Sequence, residues 1–82
     1  MSQIDPLAVA IGTAVRGAIT EAGLTNTSFA HEAGFALNSL SRRINGHQPF
    51  DFPELVRVAN VTGVPLMEIV ARAERILERR AA

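Results

Sequence analysis

Apolar residues recur every three or four positions through most of this chain, the spacing of one buried face on an α-helix. In the first such segment the stripe is Leu7, Ile11, Ala14, Val15, Ala18, Ile19 and Ala22. Asp5-Pro6 opens it with a capping carboxylate followed by proline at the first helical position, where a missing amide costs nothing. Gly23 ends it. A second helix is predicted from about Asn26 to Ala33 with Thr25 as its cap, and a third from about Leu37 to Asn45, stopped by Gly46. Pro49 breaks any continuation through the loop at 47–50. Asp51-Phe52-Pro53-Glu54 reads as a capping-box start for a fourth helix, with Leu55, Val56 and Ala59 facing inward and Gly63 closing it. Pro65 opens the fifth, whose stripe is Leu66, Ile69, Val70, Ala73, Ile76 and Leu77. No stretch alternates with the period of a strand. The expected fold class is therefore all-α: five helices in a single domain over residues 1–82, with a core at 5–70 and a helical C-terminal extension at 71–82.

The segment 24–46 carries the most information. Phe29, Ala30 and Ala33 share one face, Gly34 and Phe35 follow, and Leu40 and Ile44 lie on a second face. This is the layout of two short helices crossing through a tight turn. Ala30 is small where the backbones approach, and Gly34 stands where the chain must reverse with φ > 0. The outward face of the second helix is then Leu37, Asn38, Ser41, Arg42 and Asn45. Such a surface suits a DNA groove.

Charge changes the picture only in its distribution. The net charge is zero, whereas a nucleic-acid-binding domain is ordinarily basic. Arg42, Arg43 and His47 nevertheless cluster with no acid between Glu32 and Asp51, and four further arginines are interleaved with Glu68, Glu74 and Glu78 near the end. With no cysteine, a disulfide scaffold and a thiolate zinc site are excluded. His31 and His47 have no metal-ligand spacing, and no glycine-rich phosphate loop is present. No metal, cofactor, small-molecule ligand or catalytic site is expected, and the chain is not read as an enzyme. The apolar run at 7–15 is short, broken by Gly12 and preceded by Asp5, which argues against a signal or a membrane span. A cytoplasmic protein of a bacterial or phage-infected cell is expected.

The segment 24–46, followed by a proline-bearing loop and FPELVRVANVTGVPLMEI, resembles the Cro/repressor-type helix-turn-helix family, the XRE-type domain of phage repressors, Cro proteins and many bacterial regulators. Ala30, Gly34, Leu40, Asn45-Gly46 and Gly63-Val64-Pro65 carry the resemblance in register, over roughly residues 7–70. It implies a five-helix, lambda-repressor-like domain with its third helix in the major groove and a dimer on a two-fold site. Three positions depart from the pattern. Arg43 stands where the family usually has an aliphatic core residue, and Asn26 and Leu37 replace two glutamines that in some members clamp a phosphate and a base.

On the third helix Leu37, Ser41 and Asn45 fall one turn apart, flanked by Asn38 and Arg42. Arg42 suits guanine, Asn38 adenine and Leu37 a thymine methyl, while Ser41 lets the backbone come near. These four are the expected base contacts. Asn26, Thr27, Arg43, Asn45, His47 and Gln48 are the expected phosphate contacts, several of them at helix ends where the family places such contacts. Ile76 and Leu77 continue an apolar stripe beyond the domain core. Two readings stand for them, folding back on the first helix or pairing with a second subunit, and the second is favoured because paired half-sites need a dimer. The functional expectation is a transcriptional regulator, repressor or Cro-like, that occupies an operator in double-stranded DNA. The alternatives are an antitoxin with the same fold, or a helical protein-interaction adaptor without groove contacts.

Overall fold

The computed structural model describes residues 5–81, so residues 1–4 and 82 of the expected domain lie outside it. Five helices follow one another without strands among these residues: α1 (Pro6–Glu21), α2 (Asn26–Ala33), α3 (Leu37–Ile44), α4 (Phe52–Thr62) and α5 (Leu66–Ala81). The starts of α1, α2 and α4 each have a local chemical cause. The Asp5 carboxylate accepts from the Leu7 amide at 2.9 Å, satisfying a donor that has no partner within the helix. Thr25 and Ser28 form a reciprocal capping box at α2, and Asp51 and Glu54 form another at α4.

The largest fully buried side chains are Phe29, Ile19, Leu40, Ile69, Val15 and Val58. They come from all five helices and meet in one core, each contributing roughly 1.5–3 kcal/mol through burial. The central element is α1, which packs on α3, α4 and α5. For that reason its buried set is wider than the single stripe read from sequence. Ala8, Ala10 and Gly12 are buried with Ala14, Val15, Ala18 and Ile19, whereas Leu7 and Ala22, at the two ends, are exposed. On α4 the fully buried position is Val58, and Val56 and Ala59 are only half-buried.

The C-terminal extension continues α5 along α1. Ile76 and Leu77 are half-buried and pack on the core of their own chain. The stripe is thus covered in part by the chain's own core, and a half-exposed strip of it stays open to solvent. Arg72 secures the arrangement, with its guanidinium 2.6 Å from Glu21 on α1 and 2.8 Å from Glu68 one turn back. The hydrogen bond from Arg72 is the main cause that lowers the Glu68 pKa below the usual carboxylate value. Ile76→Ser is expected to cost about 1–2 kcal/mol of unfolding free energy. Its denaturation midpoint should not depend on protein concentration. A midpoint that climbs with concentration in the parent chain and not in the variant would identify Ile76 as an interface residue.

Candidate nucleic-acid interface

The turn between α2 and α3 aims the third helix. Gly34 closes α2 in the left-handed region at φ 77°, a conformation that costs other residues strain. Phe35 then anchors the turn. Its ring lies 6.1 Å from Phe29 in a stacked arrangement and 6.1 Å from Phe50 edge-on. The Arg57 guanidinium sits 4.4 Å above the same ring and donates to the Ala33 carbonyl at 2.9 Å. That cation therefore caps the C-terminus of α2, where positive charge is favourable.

Arg43 points inward. It is 3.1 Å from Glu54 in an ion pair in which both side chains are nearly buried, and it also donates to the Ser39 carbonyl and hydroxyl. Glu54 in turn accepts from the Asp51 amide at 2.9 Å. The expected phosphate contact at Arg43 is accordingly revised, because its charge is spent on tying α3 to the start of α4. Withdrawing it would leave the nearly buried Glu54 carboxylate with only the longer 3.9 Å pair to Arg57, a costly state.

The far end of α3 rests directly on α1. A Cβ at Gly12 would collide with the Ile44 carbonyl oxygen and lie 2.9 Å from that of Arg43. One turn earlier, Val9 packs so closely on Gly46 (φ 82°) that a Cβ there would fall 2.6 Å from the valine methyl. One turn later, Arg16 donates to the Asn45 side-chain oxygen at 2.9 Å. Val9, Gly12 and Arg16 thus form a rail on α1 that fixes the height and tilt of α3.

What remains outside is a continuous polar face. Leu37, Asn38, Ser41, Arg42 and Asn45 are all exposed, with Leu37 at 45%. Asn26 and Thr27 are exposed on the first turn of α2, where Thr25 serves the amides of Ser28 and Phe29 rather than theirs. No side chain caps the N-terminus of α3, so its first amides and the positive end of its dipole are open to an acceptor. His47 is exposed and Gln48 half-buried in the loop beyond.

The arginines fall into two sets. Arg43, Arg57, Arg72 and Arg75 are all paired with Glu21, Glu54 or Glu68. Arg16 and Arg42 have no carboxylate within ion-pair distance among the described residues, and neither do Arg79 and Arg80 at the distant end of α5. The zero net charge therefore conceals a locally cationic α3 face. Sequence periodicity missed Arg16 and Arg57, since both act across helices. Gly12 in mid-helix was the one signal that another backbone comes close to α1.

The family model described as helix-turn-helix, of the XRE type, matches residues 15–69. The chain belongs to the helix-turn-helix family. That family implies double-stranded DNA as the partner and transcriptional regulation as the setting. The fold is also similar to a solved structure titled as the clp gene regulator ClgR from C. glutamicum. The TM-score is 0.79 at 22% identity, covering 83% of this chain and 88% of that one. At that identity the likeness establishes the all-α architecture. No curated protein matches the chain. Among the described residues no single helix of this helix-turn-helix protein is long and apolar enough to cross a membrane.

Proposed function

We propose that this helix-turn-helix protein is a sequence-specific regulator, repressor or Cro-like, that acts in the cytoplasm by occupying an operator. The observation that carries the reading is Arg42. It is an exposed arginine without an acidic partner, on the polar face of a helix whose opposite face, Leu40 and Ile44, is locked into the core. A free guanidinium carried on a firmly packed helix can donate to both acceptors on a guanine edge in the major groove. Leu37, Asn38 and Ser41 stand beside it as the remaining base contacts. Asn26, Thr27, Asn45, His47 and Gln48 flank them as phosphate contacts, with helix-end amides contributing. Two copies bind a two-fold operator, and the half-exposed strip of Ile76 and Leu77 on α5 is the proposed surface through which they meet.

The test is selection from random duplex DNA with sequencing of the bound fraction, followed by titration of the enriched site at several salt concentrations. An enriched motif is expected. Affinity should fall by at least about tenfold between low and moderate salt, because the local arginines, not the net charge, release counterions. Absence of any enriched motif would favour the adaptor reading, and binding indifferent to salt would contradict phosphate anchoring.

A further inference from the structure

Resting on that reading, we infer that Arg16 of α1 is a further DNA-binding residue: it orients the Asn45 amide toward the DNA backbone and supplies the cation that lets a phosphate approach the C-terminal end of α3. The first part follows from the direction of the hydrogen bond. Arg16 Nη2 donates to Asn45 Oδ1 at 2.9 Å. An asparagine amide presents a carbonyl on one side and an NH2 group on the other. With its oxygen held by Arg16, the outward group is Nδ2, whose neighbour within the chain is Ser41 Oγ at the long distance of 3.5 Å. A phosphate accepts hydrogen bonds only, so it needs the amide in this orientation. Released from Arg16, the side chain can rotate and offer its oxygen, which a phosphate repels.

The second part is electrostatic. Asn45 is the C-cap of α3, and the carbonyl end of a helix carries partial negative charge. An anion is therefore disfavoured at that end unless a cation stands beside it. Arg42 and Arg43 occupy the last turn, but Arg43 is committed to Glu54. Arg16 is exposed and has no carboxylate partner among the described residues. Its guanidinium has five N–H donors, and its hydrogen bond to Asn45 uses one, leaving others for a phosphate oxygen. Gly12, one turn before it, holds α1 against the carbonyls of Arg43 and Ile44, so the distance from Arg16 to the helix end is fixed by backbone packing.

The experiment is a double-mutant cycle on the full-length chain, using Arg16→Ala, Arg16→Lys, Asn45→Ala and the double alanine variant. Each is titrated with the operator enriched by selection and with its single-base substitutions, at several salt concentrations. Thermal unfolding is recorded in parallel. Arg16→Ala should lower affinity about tenfold at low salt, evenly over all base substitutions, and reduce the salt slope by about one phosphate. Adding Asn45→Ala should cost little more, since Asn45 without Arg16 is already misdirected. Arg16→Lys should retain the salt slope and recover only part of the affinity. Melting temperatures should stay close to the parent's because both side chains are exposed. An unchanged affinity and slope for Arg16→Ala, with the parent still binding its operator, overturns this inference and leaves the regulator reading intact. So does a melting temperature that falls in step with affinity, which would make Arg16 structural, and so does strict additivity with Asn45→Ala. A parent chain that binds no duplex overturns the regulator reading itself.

Discussion

Gly12→Val is expected to be the most damaging single change in the domain, at roughly 3 kcal/mol or more of unfolding free energy. The added Cβ would meet backbone on the facing helix, the carbonyls of Ile44 and Arg43, so no side-chain rotation relieves it. Relief requires α3 to move off α1, and Leu40 and Ile44, both buried at the heart of the core, would move with it. A chain of this length holds roughly 4–12 kcal/mol of stability in all, so the loss is a large share of it. Gly17 provides the control. It lies exposed on the same helix, and a Cβ added there would meet nothing within 4 Å. Gly17→Ala should therefore raise stability by about 0.5–1 kcal/mol through helix propensity. Urea denaturation of the two variants beside the parent measures both. Equal midpoints for Gly12→Val and the parent would mean that α1 and α3 do not touch at residue 12, and the rail that aims α3 would not exist.

The contrast between those two glycines shows where sequence reasoning stops. Both sit within the same helix, off its apolar stripe, and no periodicity argument separates them. Only the arrival of α3 makes one indispensable and the other replaceable. Local signals were legible because their physics is local. The caps at Asp5, Thr25 and Asp51, the left-handed turn at Gly34 and the helix stop at Gly63 act within a few residues of chain, and all are present as expected. The exposed face of α3 was legible for a related reason, since burying Leu40 and Ile44 fixes what points away from them. Pairings between helices were not. Arg43 looked like one more surface cation until Glu54, eleven residues on, was brought beside it by the α3–α4 loop. The stripe of Ile76 and Leu77 demanded cover, and one dimension does not show how much of that cover the chain's own core supplies.

Arg42→Ala should cost ten- to a hundredfold in affinity for the preferred operator, about 1–3 kcal/mol, and should relax the requirement at one base pair. The reason lies in how the side chain is held. Its helix is clamped at one end by the Phe35 turn and at the other by Gly12 and Gly46, so the guanidinium enters the groove from a fixed origin. Its charge is not offset by any carboxylate within ion-pair distance among the described residues. Asn45 is held at the helix end by Arg16, farther along the axis, where a phosphate and not a base edge is the expected partner. Asn45→Ala should accordingly weaken every sequence to a similar degree and leave the preference intact. Binding profiles of both variants over all single-base substitutions of the operator separate these outcomes. If Arg42→Ala lowers affinity evenly across every substitution, Arg42 serves the backbone, and base reading passes to Asn38 and Leu37 at the open N-terminal end of α3. That end carries uncapped amides, so a groove-reading role there has its own physical basis, and the same profiles would reveal it as lost preference in Asn38→Ala.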